Sequence, residues 1–549
     1  MLLRENATAE KLRGGYYTPP ALADFITRWG FTDNNVRRVL EPSCGDGAFV
    51  ESLLAVEQPF SCTAIEIIHE EMLKVQNMTT RNDHFTVMHE DFYSWYRENL
   101  NGEKYDLIVG NPPYIRYQYL SEEQREEQSR ILISNGMRSN KLINAWVSFV
   151  VACVSLLDRN GKIGLVIPAE LLQVAYSEDL RNYLMRNLQH ITIVTFRELV
   201  FEDIEQEVVL LLGEKDVEHA EEHQIRILQF NNIIDLVENF ETNTVPFVDI
   251  EFTNTKWTRY FLSTNDNVLI NEIRQSANFI QFNEIAEVDI GITTGNNDFF
   301  CVDRATAEDY GLINISRPLI ARSVSMDGIY FNEQVWQANV DRGAKAYLLD
   351  FPTIDFEQYP EGQRRYISEG EERGENTGYK CRIRNRWYQV PSIWAPDAFF
   401  LRRNYLYPKF VLNDFNAVST DTMHRIKFAD GIDSKRAILA YYNSITLAFT
   451  EIEGRSYGGG VLEILPGEVE KIFVPNLFQV ELLTDDYVEQ LLHLIDDHVK
   501  NNDDILGILP EIDKRILVEL LNIPVETVTA FRDMWLLLRN RRLERGRKR

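Results

Sequence analysis

The chain predicts an α/β protein whose first part is a doubly wound, mostly parallel sheet. Three observations carry that prediction. Up to about residue 215, short apolar runs alternate with helical stretches, the pattern of strand–helix–strand units. Runs such as "RVLEP" and "GLVIP" show no polar alternation, as expected of strands covered on both faces. At 549 residues, 44% hydrophobic and 11% aromatic, the chain is too long for one ordinary core and has enough apolar surface for two or three domains.

Taken in order, strands are expected at "RRVLEP", "CTAIEI", "HFTVMHED", "YDLIVGNPP", "KIGLVIP", "ITIVTF" and "EVVLLLGE". Amphipathic segments at 20–29, 46–55 and 143–157 lie between them. From about residue 245, Gly, Asn, Arg and aromatics become denser. Turn-rich stretches such as "DIGITTGNNDFF" and "RSYGGGVLEILPGE" there predict a mixed α+β domain with short strands. From about 480 the chain turns helical ("YVEQLLHLIDDHVK", "VTAFRDMWLLLRNRRLERGRKR"), and its last eleven residues, 539–549, are strongly basic. The expected domains are 1–244, 245–480 and 481–549.

Several classes are argued against. No apolar run reaches 18 residues, so no membrane span is expected, and "MLLRENATAEKLRGG" lacks the apolar stretch of a signal peptide. The cysteines (44, 62, 153, 301 and 381) are scattered and form no CxxC pair, which speaks against a zinc module or disulfide framework and for a reducing cytoplasm. A formal net charge of −27 argues, taken alone, against a nucleic-acid partner. Net charge is an average, however, and an acidic protein can carry a basic cleft.

Three strand ends carry chemistry. "LEPSCGDGAFV" (40–50) follows the first strand and opens a helix; Gly45 and Gly47 permit a tight turn and close approach to a ligand. The stretch lacks the GK[ST] of a P-loop and is not a full GxGxxG. Glu66 ends the next strand and can take a ribose diol; Asp91 and Phe92 follow the third and can meet an adenine amino group and ring. Each alone reads more readily as a structural turn or a solvated acid, but three in register point to a ligand. The fourth strand stops at "GNPPYIRYQ" (110–118). Two prolines remove N–H donors and stiffen the loop, leaving the Asn111 amide, rigidly aimed carbonyls and the Tyr114 ring to grip a flat molecule carrying an NH2 group.

With "EPSCGDGAF", "IE", "EDF" and "NPPY" in this order, residues 14–215 resemble the S-adenosylmethionine-dependent DNA adenine-N6 methyltransferases of the gamma group, typically the modification enzymes of bacterial restriction–modification systems. The resemblance implies a Rossmann-like class I methyltransferase sheet followed by a target-recognition domain. It places Tyr17 and Thr18 near the methionine end of the cofactor, with Glu41, Ser43 and Gly45 lining it. It gives Glu66 the ribose and Asp91 with Phe92 the adenine, and it sets Asn111 and Pro113 against the cofactor as well. Phe149 falls where the family packs a ring on that adenine; a core helix position is the equal alternative. Asn111, Pro112, Pro113 and Tyr114 match the catalytic tetrad. Phe201, in "ELVFEDIEQEVV", is the expected aromatic on the far side of the target base, with Phe196 its competitor. The implied partner is double-stranded DNA, with any cognate restriction endonuclease a separate chain. A monomer in a bacterial or archaeal cytoplasm is expected.

Basic residues cluster despite the net charge. "YKCRIRNRWY" brings Lys380, Arg382, Arg384 and Arg386 among aromatics, and "FFLRRNYLYPK" adds Arg402 and Arg403. With Arg116, Lys141 and Arg455 these are the expected DNA contacts, each with a solvated face as its alternative. "RSYGGGVLEILPGEVEKIFVP" also resembles a segment of this family's recognition domains; its GGG either lets backbone approach DNA or makes a tight turn. The tail at 539–549 is expected to be a frayed solubilising end, with phosphate contact the alternative. A fused restriction–modification enzyme, a protein-glutamine or RNA methyltransferase, and a catalytically silent DNA-binding subunit stand as alternatives for the whole.

Overall fold

The computed structural model describes residues 17–32, 35–138, 143–201, 207–250, 256–501 and 504–545. The chain divides into two compact units, Met1–Phe261 and Leu262–Arg549. Among the described residues no helix is long and apolar enough to cross a membrane.

The first unit is built on a nine-stranded sheet. Its strands are β1 (Arg38–Glu41), β2 (Ser61–Glu66), β3 (Phe85–His89), β4 (Tyr105–Gly110), β5 (Leu157–Pro168), β6 (His190–Phe196), β7 (Val208–Glu214), β8 (Gln224–Phe230) and β9 (Val248–Asp249). They lie in the order β3-β2-β1-β4-β5-β7-β6-β8-β9. The run from β3 to β5 is parallel, and β7 inserts antiparallel between β5 and β6. Seven of the strands are those expected from the sequence, and the sheet is doubly wound as predicted.

Side-chain alternation shows why helices cover both faces. On β4, Ile108 points into one apolar cluster while Leu107 and Val109 point into another. On β7, Val209 and Leu211 join the first cluster and Val208, Leu210 and Leu212 the second. A strand buried on both faces cannot afford polar alternation. One layer comprises α1 (Pro20–Gly30), α2 (Ala48–Leu54) and, further along, Ile233–Asn239. Pro20 starts α1, where its missing N–H costs nothing. In chain order, α3 (His69–Thr79) follows β2. The opposite layer holds α4 (Phe92–Asn99), α5 (Glu122–Ser134), α6 (Ala145–Leu156) and α7 (Glu178–Asn187). Every residue of α6 except Ser155 is buried, which explains an all-round apolar sequence too short for a membrane.

The second unit contains smaller sheets, the largest of five short strands: Ala286–Ile290, Met423–Phe428, Ala398–Leu401, Phe410–Asn413 and Tyr330–Phe331. Its last helix, Val525–Arg545, buries Val528, Phe531, Trp535 and Leu538 at helical spacing, and Phe531 stacks on Phe449 with ring centroids 6.0 Å apart.

The described part of the basic tail, 539–545, expected to fray, is helical. Arg539, Arg541 and Arg542 are buried on this helix. Arg542 grips Glu451 through two hydrogen bonds, Nη2 to Oε1 at 2.6 Å and Nε to Oε2 at 3.2 Å, and Arg539 pairs with Asp504. The buried Glu451 and the partly exposed Asp504 draw the guanidinium groups inward, because a buried charge needs a partner. Residues 546–549 lie outside the described residues. The GGG run is a turn against the same helix. Gly459 and Gly460 have φ of +80° and +76°, and the Gly460 carbonyl accepts from Arg542.

Candidate active site

Four strand ends converge. Glu41 ends β1, Glu66 ends β2, Asp91 caps α4 just after β3, and Asn111 follows the last residue of β4. β1 pairs with β4 although β2 and β3 intervene in sequence. The winding therefore reverses there and opens a crevice at the carboxyl ends of the strands. A cavity of about 540 Å³ occupies it. All the positions expected to line a cofactor, namely Tyr17, Thr18, Glu41, Ser43, Gly45, Glu66, Asp91, Phe92, Asn111, Pro113 and Phe149, are in its wall.

The turn after β1 is shaped by glycine. Gly45 and Gly47 have φ of +50° and +92°, and a Cβ on Gly47 would come within 3.0 Å of Met78 Sδ. Glu66 locks the turn to β2: its Oε2 accepts from Gly45 N–H and its Oε1 from Ile68 N–H, both at 2.8 Å. Asp91 Oδ1 accepts from the N–H groups of Tyr93 and Ser94, capping α4. Phe92 meets Phe149 with ring centroids 4.8 Å apart, joining α4 to α6.

Electrostatics single out Glu41. It is 1% exposed and its Oε2 is buried without a hydrogen-bond partner. Burial first, then the charges of Asp46 and Glu66, pushes its carboxyl well above the usual carboxylate range. Burial raises Asp46 as well. Among the described residues no Lys, Arg or His lines the cavity. Such a wall disfavours an anion and suits a ligand with positive charge.

The loop beyond β4 is held from two sides. Asn111 Nδ2 donates to the buried Thr18 hydroxyl at 3.2 Å, and its carbonyl accepts from Ser43 Oγ at 3.3 Å. With Nδ2 directed at Thr18, Oδ1 is the acceptor end of the amide. Pro112 is buried. Tyr114 is half-buried, and its hydroxyl donates to Val166 O at 3.0 Å, which fixes the plane of the ring.

Known proteins match this chain along most of its length. The model of the Eco57I restriction-modification methylase family matches residues 53–201, and that of the type II methyltransferase M.Eco57I C-terminal domain matches 254–517. Type II methyltransferase M.AccI of Acinetobacter calcoaceticus is 23% identical over 523 residues, covering 91% of this chain and 92% of its own length. M.XamI of Xanthomonas campestris pv. amaranthicola is 22% identical over 487 residues, covering 84% and 85%. These matches support a restriction–modification DNA methyltransferase. Among solved structures, the type IIG restriction endonuclease BpuSI aligns over 97% of this chain and 66% of its own, at 14% identity and a TM-score of 0.41.

The methyl donor of this methyltransferase is S-adenosylmethionine. The cavity fits it. The unpartnered Glu41 oxygen and the cation-free wall suit a ligand bearing sulfonium and ammonium charges, and Phe92 with Phe149 offers a flat apolar surface to a purine.

Sequence reading missed part of the wall. Tyr119, Leu120 and Gln124, at the start of α5 and just before it, also line the cavity, as does Glu71 on α3. Tyr17 Oη donates to Glu71 at 3.2 Å. Buried Gln128 donates to Tyr93 Oη at 3.0 Å, and Tyr93 shares a 2.8 Å hydrogen bond with Ser148, tying α5 and α6 to the wall. The capping box at Ser121 announces the start of α5 but not where the helix lies.

Other expected residues lie elsewhere in the methyltransferase. Phe201 was expected on an open loop; it is 6% exposed and shares an apolar cluster with Phe196, against which Tyr114 packs. Burying a phenyl ring is worth about 1.5–3 kcal/mol, enough to draw it in. Arg402 and Arg403, expected to contact DNA, both pair with Oε1 of the buried Glu463, at 3.0 and 3.2 Å. Arg455 pairs with Glu468 at 2.7 Å. Arg384 donates to Thr293 O at 3.1 Å, and Arg386 to Asp355 at 3.0 Å and to Ile354 O. Arg116, Lys380 and Arg382 are exposed, and Lys141 lies outside the described residues.

Proposed function

We propose that this DNA methyltransferase transfers a methyl group to the N6 amine of an adenine flipped out of duplex DNA, as the modification enzyme of a restriction–modification system. In this reading it acts as a monomer on one duplex, and any cognate endonuclease is a separate chain. The observation that carries the reading is the Asn111 amide, fixed in the cavity wall directly before the proline pair by the hydrogen bond its Nδ2 donates to Thr18.

S-adenosylmethionine, when bound, supplies an electrophilic methyl group on a sulfonium sulfur. Glu41, itself buried, and its acidic neighbours balance the ligand's positive charge. Glu66 holds the ribose with the lone pairs its backbone contacts leave over, and Phe92 with Phe149 packs on the cofactor adenine. Asp91 Oδ2 accepts from that ring's amino group, since Oδ1 already caps α4.

The target adenine's exocyclic nitrogen is a poor nucleophile because its lone pair is delocalised. Asn111 Oδ1 and the Pro112 carbonyl each accept one N6–H and favour a pyramidal nitrogen with its lone pair free. Both contacts strengthen as positive charge develops on that nitrogen. Tyr114, its ring fixed through Val166, stacks on the extruded base, a contact worth about 1–3 kcal/mol.

Asn111→Ala tests this. Transfer of labelled methyl groups to genomic DNA should fall at least about a hundred-fold while cofactor affinity, read by calorimetry, stays within a factor of a few. Near wild-type transfer by the variant, or N4-methylcytosine as the wild-type product, would overturn it.

A further inference from the structure

Within the second unit, residues 378–388 form a loop rooted in that unit's core. Cys381 and Tyr388 are buried, at 0% and 7% exposure, and Trp387 packs on Phe299 with ring centroids 4.5 Å apart. Trp387 also donates from Nε1 to Glu371 at 2.8 Å. Arg384 and Arg386, through the backbone and Asp355 contacts described above, brace the loop. Two of its four cations therefore serve the loop's own architecture.

The remaining side chains of the turn point outward. Tyr379 is 67% exposed and Ile383 60%. Four residues apart across the turn Tyr379–Arg382, they share a side. Lys380 and Arg382 stand exposed between them, and among the described residues neither forms an ion pair. A rigid base thus displays an aromatic ring and a β-branched side chain in water, with two uncompensated cations beside them, in a chain of net charge −27. Water gives no reason for such a knob, whereas an anionic partner with an apolar interior does.

We infer that Tyr379 and Ile383 form an apolar wedge that enters the base stack of duplex DNA, with Lys380 and Arg382 on the flanking phosphates. The inference rests on the DNA-methyltransferase reading above and names the residues that read the duplex. Duplex DNA is the partner whose chemistry matches both halves of the knob. Its phosphates take the cations, and its base steps admit an apolar wedge at a cost that depends on the step, which is itself a source of sequence preference. A second copy of this chain carries the same −27 and is repelled.

The test uses the full-length protein. Genomic DNA treated with wild-type enzyme is mapped for methylated positions, and a 30-base-pair-scale duplex carrying the mapped sequence is compared with a scrambled duplex by fluorescence anisotropy over a salt series. Wild-type enzyme that methylates no DNA would overturn the functional reading itself, separately from the wedge. With methylation established, Tyr379→Ala/Ile383→Ala should lose roughly ten-fold of its preference for the mapped duplex and keep its salt slope. Lys380→Ala/Arg382→Ala should weaken both duplexes alike and flatten the slope of log K against log salt by about 2. Circular dichroism melts confirm that both variants fold, as all four side chains are exposed. Unchanged preference and unchanged slope in folded variants, or an effect confined to self-association, would overturn the wedge.

Discussion

The cavity of the first unit and the arginine-rich loops of the second treat charge in opposite ways. In the cavity wall, acids are gathered with no Lys, Arg or His among the described lining residues, and Glu41 is left with a buried, unpartnered oxygen. In the second unit most arginines singled out by their clustering are already satisfied: Arg402 and Arg403 by Glu463, Arg455 by Glu468, Arg542 by Glu451. Buried polar groups are normally paired, so an unpaired one marks a place prepared for something else. Clustering in sequence is therefore a weaker sign of function than lack of partners in the fold.

That contrast can be broken most severely at the second unit's buried pair. Arg542→Ala strands Glu451, 3% exposed at its side chain, without its cation, and should destabilise the unit by about 3–5 kcal/mol in thermal or urea unfolding. An unmoved melting temperature would restore the tail as a free arm. Next comes Phe201, where core and stacking roles differ in readout. Phe201→Ala should cost about 3–5 kcal/mol of stability, whereas a ring displayed for a base would cost little stability and much turnover.

Glu41→Gln sharpens the comparison from the other side. Below about pH 4.5 the carboxyl is protonated folded or unfolded and costs nothing. As pH rises the unfolded chain loses that proton first, because the folded group is held well above the usual range. Stability therefore falls with pH until the folded group also ionises. The glutamine variant should lack this decline, gain roughly 2–4 °C in Tm at neutral pH and bind S-adenosylmethionine less tightly. A lower Tm at pH 7 would mean that the carboxylate has a partner in the free protein. Smallest of all, Arg403→Ala removes an ion pair whose arginine side chain is 71% exposed, and should change stability by less than about 1 kcal/mol. A large loss of DNA affinity with that variant would return Arg403 to the interface.

Much of the first unit was legible in the sequence. Strand ends are read easily because each is a stop signal, a glycine turn after Glu41 or a proline pair after Asn111, at a position that sheet winding makes functional. Short side chains attached at such ends have little choice of direction, so Glu41, Glu66, Asp91 and Asn111 reach one cavity as expected. The arginines were not legible in this way. Their long, flexible side chains sit on loops and short strands, and pairing depends on acids dozens of residues away, as Arg542 on Glu451 and Arg403 on Glu463.

By itself, then, the sequence determined the parallel α/β frame, the order of its strands' chemistry and the amide–proline loop, because periodicity and backbone stereochemistry act locally. Only the tertiary structure decided that α5 walls the cavity, that Phe201 is core, and which cations remain unpaired. Those outcomes depend on what else each side chain can reach, and burial favours whichever arrangement leaves the fewest charges and ring faces without a partner.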